Sequence, residues 1–228
     1  MSSELRYELK FITSEMHLFQ ARHWIRLHPE AFRPAYHPRQ INSIYLDSPT
    51  LQNLNANLIG YNQRHKIRIR WYGRLLTEIE NPVLELKIRD GNLGDKKRIA
   101  LETPLNLAQS WQQILTNVHQ DATKKDPAWQ KHFHAQLRPT IINQYQREYF
   151  VSPDGKLRLT LDYQQTAYNQ RHALRPNLKF KVQQPIQLVI ELKSPPEFAE
   201  RLETAASHLP IRRNRNSKYV NAMQALPL

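Results

Sequence analysis

The chain has 228 residues, 33 Lys plus Arg against 20 Asp plus Glu for a formal net charge of +13, and no cysteine. The absence of cysteine excludes disulfide frameworks, thiolate metal sites and cysteine nucleophiles, while the length suits one large domain spanning residues 1–228 that buries most of its unfolded surface. The charge asks for a polyanionic partner: nucleic acid, an anionic membrane surface or a phosphorylated molecule.

The chain opens on Met1-Ser2-Ser3-Glu4-Leu5-Arg6 and goes straight into a charged strand, Arg6-Tyr7-Glu8-Leu9-Lys10-Phe11, without the apolar run of a signal peptide. No later stretch has the length of a membrane span, so a soluble cytoplasmic protein is the expectation. Thr13 or Ser14 caps a predicted helix from Glu15 to about Leu27, stopped before Pro29. Ile41 to Leu46 reads as a strand ending at the turn Asp47-Ser48-Pro49.

Residues 66–72, 83–89 and 96–102 form a predicted meander, with Asp90-Gly91 and Gly94-Asp95 marking its last connection. Two helical blocks follow, Leu107 to Val118 and Asp126 to Leu137. Then Ile141 to Val151 and Lys156 to Asp162 make a hairpin around Ser152-Pro153-Asp154-Gly155. A strand from Pro185 to Lys193 precedes Ser194-Pro195-Pro196-Glu197, which has a cap serine, proline at the first helical position and glutamate three after the cap. Asn214 to Tyr219 leads into a short terminal helix.

Side chains alternate across a strand, so Lys66, Arg68 and Arg70 share one face while Ile67, Ile69 and Trp71 share the other. The same division recurs: Arg6, Glu8 and Lys10; Glu85, Lys87 and Arg89; Lys156, Arg158, Thr160 and Asp162; Glu191 and Lys193. An open sheet has one solvated face for so many cations, whereas helices can cover the greasy side of a sheet curled with its charges inside. A barrel of about eight strands is wide enough inside for a ligand. The expected fold is therefore α+β: a closed or nearly closed antiparallel barrel with a basic lumen and helices packed outside. Two cations about 10 Å apart at an effective dielectric of about 20 repel by about 1.7 kcal/mol, so the lumen needs anions. Arginine's planar fork suits phosphate oxygens.

These segments, with Ile44-Tyr45-Leu46-Asp47-Ser48, Tyr145-Gln146-Arg147-Glu148-Tyr149-Phe150 and Ser217-Lys218-Tyr219, run in an order over nearly the whole chain that resembles the VTC domain. That domain is the polyphosphate polymerase branch of the triphosphate tunnel metalloenzyme, or CYTH-like, superfamily. The resemblance implies a tunnel in which the terminal phosphoryl group of ATP passes to a polyphosphate chain, with a divalent metal, Mn2+ or Mg2+. Carried over by position, Lys10, Arg68, Arg70, Lys87, Arg147 and Arg158 would be phosphate ligands, and Glu191 would hold the metal. Ser217 and Lys218 would contact phosphate from the terminal helix. Arg215 stands where the family often has lysine. Arg68, Arg70 and Lys218 are the catalytic candidates, and Lys66 and Lys193, on the same basic faces, join the substrate-binding set. CYTH-type triphosphatases open on Glu-x-Glu-x-Lys, whereas this chain has Arg6-x-Glu8-x-Lys10, which favours holding a longer polyanion.

Two alternatives stay open: a module that binds polyphosphate or inositol phosphates without turnover, and a triphosphatase. A membrane-protein partner is compatible with the resemblance. Nucleic acid is not expected, because no Arg- and Lys-dense recognition helix, zinc spacing or aromatic RNA-binding strand is present. Tyr145, Tyr149, Tyr163 and Tyr168 read as packing residues, His132-x-His134 as no metal site, and Glu85 as a counter-ion to Lys87.

Overall fold

The computed structural model describes residues 6–75, 77–90, 93–133 and 137–226. Its strands are β1 (Tyr7–Ser14), β2 (Arg33–Asp47), β3 (Gln63–Tyr72), β4 (Glu78–Ile79), β5 (Val83–Asp90), β6 (Leu93–Ala100), β7 (Leu105–Asn106), β8 (Arg138–Val151), β9 (Arg158–Asn169), β10 (Lys181–Val182) and β11 (Gln187–Ser194). Eight of them form one antiparallel sheet in the order β1-β11-β9-β8-β2-β3-β5-β6, with β10 added on β9 and β4-β7 as a separate ribbon. Among the described residues no ladder joins β1 to β6, yet Lys87 of β5 reaches Glu8 of β1 at 3.2 Å, so the sheet curls until its two ends meet through side chains. The architecture is α+β, with the charged faces turned inward.

The alternating pattern dictates what covers the outer face. Ile67, Ile69, Trp71, Leu84 and Leu86 pack with Trp111, Ile114, Val118 and Ala122 of α3 (Trp111–Lys125) in one core. That spacing keeps four apolar side chains on one helix face. Ser110 starts the helix: its side chain accepts from Gln113 N while the Gln113 amide oxygen accepts from Ser110 N. A second core sets Leu9, Phe11, Leu159, Leu161, Ile190 and Leu192 against Ala21 and Ile25 of α1 (Leu18–Arg26) and Leu202, Ala205 and Ala206 of α4 (Ala199–Ser207). Each large side chain fully buried in this way contributes about 1.5–3 kcal/mol, which offsets gathering so much charge on the other face.

A third core lies at one end of the concave side. There α5 (Lys218–Gln224) places Tyr219, Ala222 and Met223 against Tyr45, Ile141, Ala167 and Leu54 of α2 (Gln52–Ile59). Tyr219 stacks on Tyr45 with centroids 5.1 Å apart and donates from its hydroxyl to Asp47 Oδ2 at 2.7 Å.

Several local expectations change. Ser194 ends β11 instead of capping a helix: the following 3-10 turn, Pro196–Phe198, has Pro195 at its N-cap with no side-chain cap. Residues Pro127–His132 form a 3-10 helix, shorter than the expected block from Asp126 to Leu137, because Asp126 both ends α3 and caps the next turn through Ala128 N. β2 begins eight residues before Ile41, with irregular pairing to β8 around Pro34, Tyr36 and Arg39. The helix α2 carried no clear sequence signal, since Leu51 before it adopts a left-handed backbone and offers no cap. The turn at residues 91–92 and His134 lie outside the described residues.

Candidate functional site: a cationic bore

Directly opposed residues of paired strands share a face, and the register carries charge around the whole concave surface. Lys10 opposes Glu191, Glu8 opposes Lys193, and Glu191 opposes Thr160. Arg147 opposes Asp162, Arg68 opposes Glu85, and Lys66 opposes Lys87, which in turn opposes Lys96.

Asp162 and Thr160 face inward with Arg158, and one residue beyond them lets the rest of β9 change faces. Between Gln144 and Gln146 of β8, strand β9 spends an extra position, and Gln164 there has φ +51°, the left-handed backbone of a bulge. A one-residue insertion reverses which side chains face which way. Glu15 Oε2 holds this kink by accepting from Gln164 N at 2.7 Å.

Two carboxylate-centred networks result. In the first, fully buried Asp162 accepts from Arg147 Nε and Nη2 at 2.5 and 2.6 Å and from Lys218 Nζ at 2.5 Å. Glu191 takes Arg147 Nη2 at 3.1 Å and Lys193 Nζ at 2.7 Å, with Lys10 Nζ at 3.5 Å and Lys218 Nζ at 3.8 Å. Glu8 sits within 3.5 Å of Lys10, 3.4 Å of Lys193 and 3.2 Å of Lys87. Burial opposes ionisation of Glu191, but Lys193, Lys10 and Arg147 outweigh it and hold the carboxyl well below the usual range. Glu8 follows the same logic through Lys193 and Lys10.

In the second network Glu85 meets Arg68 at 2.6 Å, Lys96 at 2.8 Å, Arg98 at 3.2 Å and Arg70 at 3.6 Å. Glu85 is thus the counter-ion of these four groups and not of Lys87, which pairs with Glu8: along β5 the two side chains lean to different neighbours. Tyr145, read from sequence as packing, joins the networks. Its hydroxyl lies 3.4 Å from Arg70 Nη2, and its ring faces Lys218 Nζ at 4.6 Å and the Arg147 guanidinium at 5.3 Å.

Cations remain in excess. Lys66 donates to Ser217 Oγ at 2.8 Å and has no carboxylate partner among the described residues; burial and then Lys10, Lys87 and Arg68 push its pKa well below the lysine range. Burial, outweighing Glu85, lowers Lys96 to about 7. For Lys87, Glu8 pulls upward but burial, Lys10 and Lys193 together prevail and lower it. Lys10 also donates to the carbonyl of Asn216 at 3.2 Å, so the segment before α5 is tied to the cationic row.

The geometry therefore brings together Lys10, Lys66, Arg68, Arg70, Lys87, Arg147, Glu191, Lys193, Ser217 and Lys218. Ser217 also caps α5 through Val220 N at 3.3 Å. Arg158 is exposed and lines a shallow recess with Arg6, Lys156 and Lys193. Arg215 is exposed and lies outside both networks. Lys96, Arg98 and Tyr145 were missed as members. Their alternation was visible, but which carboxylate each cation meets depends on the curl of the sheet.

The chain from residue 5 to residue 227 matches the family model of the VTC domain. It belongs to the VTC domain family. Solved structures share the fold: the adenylyl cyclase candidate HpAC1 from Hippeastrum, described as having a dominant triphosphatase activity, matches with TM-score 0.53 and 14% identity over 99% of this chain and 97% of that one. An adenylate cyclase candidate from Vibrio parahaemolyticus matches with TM-score 0.53 and 12% identity over 98% and 99%. No curated protein matches the sequence. Among the described residues no helix of this VTC domain is long and apolar enough to cross a membrane.

Among the described residues no three His, Asp or Glu side chains converge as a ready metal cage. A small divalent ion that keeps its waters needs one or two carboxylates plus substrate phosphates. Glu191 and Glu8, which share Lys10 and Lys193 as neighbours, fit that demand. Thr160 Oγ1 and both amide atoms of Asn143 are buried without hydrogen-bond partners among the described residues, leaving polar atoms for ligand oxygens or their waters.

Proposed function

We propose that the chain is a metal-dependent polyphosphate polymerase that moves the terminal phosphoryl group of ATP onto a phosphate chain lying along the concave face. The observation that carries this reading is the row Lys66, Lys87 and Lys96 across three adjacent strands, in which Lys66 has a hydroxyl instead of a carboxylate for a partner. Directly opposed like charges are destabilising, and a string of phosphates is the ligand that reverses the sign of every such contact.

Phosphoryl transfer asks the protein mainly for positioning and charge neutralisation. A terminal oxygen of the acceptor chain, ionised at neutral pH, bonds to the γ-phosphorus of ATP while the bond to the β–γ bridging oxygen breaks, and ADP leaves. Arg70, Arg147 and Lys218 converge around Tyr145, with Arg68 next to Arg70 on Glu85, where the four would hold the equatorial oxygens. Lys10, Lys66, Lys87, Lys193 and Ser217 would hold the chain. Glu191, with Glu8 beside it, would hold Mn2+ or Mg2+, which when bound supplies neutralisation of phosphate charge. Exposed Arg158 and half-buried Arg6, at the recess with Lys193, extend positive charge beyond the buried networks, which favours a ligand longer than a triphosphate.

The triphosphatase reading draws its support from the activity described for the Hippeastrum protein. Purified protein given ATP and Mn2+ should build long phosphate chains on a gel, and Lys218→Ala and Arg68→Ala should abolish them. Release of inorganic phosphate without chain growth would select the triphosphatase. Tight polyphosphate binding that survives Glu191→Ala, with no nucleotide consumed, would select a binding module.

A further inference from the structure

We infer that the cluster of exposed Tyr36, Arg39 and Tyr72 on half-buried Tyr149 is a nucleobase platform, so that the bore is built for a nucleoside triphosphate and not for a bare triphosphate. This rests on the concave face being the triphosphate site. Tyr36 opposes Tyr149, Arg39 opposes Arg147, and Tyr72 continues the inward face of Lys66, Arg68 and Arg70, so all four residues extend the charged surface outward by one or two positions. The Arg39 guanidinium lies 4.9 Å from the ring centre of Tyr36 and 5.7 Å from those of Tyr72 and Tyr149, while Tyr36 and Tyr149 meet edge to face at 5.6 Å.

Packing does not account for this arrangement. Tyr36 is 61% and Tyr72 52% exposed, and Arg39 has no carboxylate partner among the described residues, unlike the buried arginines inside. An array of open ring faces beside an uncompensated guanidinium accepts a flat heterocycle on the rings and an anion on the cation, which are the two ends of the nucleotide joint between base and α-phosphate. The opposite end of the concave side cannot take a base, because α5 fills it with Tyr219, Ala222 and Met223 against Tyr45 and Ile141. Tyr36 and Tyr45 are nine positions apart on β2, about 30 Å of extended strand at most. The nucleoside therefore stays at the tyrosine mouth while the phosphates run inward past Arg147.

Titration calorimetry with Mg2+ present should compare ATP with methyl triphosphate, which has the same phosphate charge and no nucleoside. The wild-type chain should bind ATP about tenfold or more tightly than methyl triphosphate, the order expected of one stacked base. Tyr36→Ala with Tyr72→Ala should bring the ratio close to unity with methyl triphosphate affinity held, and Tyr36→Phe with Tyr72→Phe, which keeps both ring faces, should preserve it. A wild-type ratio near unity, or a ratio that survives the double alanine change, overturns the platform while leaving the triphosphate site standing. If neither ligand binds, the triphosphate site itself is wrong and the platform falls with it.

Discussion

Glu85 is where the electrostatic account of the bore is most exposed to test. It is 3% exposed, and Arg68, Lys96, Arg98 and Arg70 surround it at 2.6, 2.8, 3.2 and 3.6 Å. The Arg98 side chain is 61% exposed, so solvent screens most of its share; the other three are enclosed. Glu85→Gln keeps the shape and removes the charge, leaving Arg68 and Arg70 facing one another beside Lys96, which loses the carboxylate that favours its charged form. Breaking a buried ion pair from one side costs about 3–5 kcal/mol, which for a chain of this length lowers the melting temperature by about 6–20 °C. Tripolyphosphate at about 100 times its dissociation constant stabilises a folded binder by about 2.7 kcal/mol, and its gain should be larger in Glu85→Gln, where phosphate takes over the orphaned cations. Thermal melts of both proteins at low salt, with and without tripolyphosphate, measure this. An unchanged melting temperature, or a smaller gain from tripolyphosphate in the variant, would refute the claim that the bore is cation-rich and anion-seeking.

Other outcomes follow from the same geometry. Lys96 has its pKa lowered to about 7 by burial, and a bound phosphate raises it, so binding takes up a proton and tripolyphosphate affinity should fall as pH rises through and above about 7. Lys96→Arg, always charged, should flatten that profile in pH-resolved calorimetry; an unaltered slope removes Lys96 from the site. Gln164→Gly, which keeps the left-handed backbone of the bulge at no steric cost, should retain the melting temperature and tripolyphosphate binding, and loss of either would show that the bulge is held by more than its backbone.

Periodicity by itself determined a good deal. A period of two in Lys66 to Trp71, Leu84 to Lys87 and Leu188 to Lys193 made each strand two-faced, and the scarcity of ways to solvate so many inward cations pointed to a curled sheet. The residues resembling the VTC domain put Lys10, Arg68, Arg147 and Glu191 on one concave face, with Lys218 reaching it from α5, because alternation survives wherever a strand runs unbroken. Only the tertiary structure decided which partners meet. Glu85 with Arg68 and Lys96, Glu8 with Lys87, and Tyr145 between two arginines and a lysine depend on curvature and on contacts between residues far apart in sequence. One left-handed residue, Gln164, lets Asp162 keep the inward face of its alternation while Ala167 beyond it joins the core under α5, and no pattern of hydrophobicity announces that bulge. Local alternation is a property of a strand's own backbone, whereas the closing of a charged bore is a property of the whole sheet.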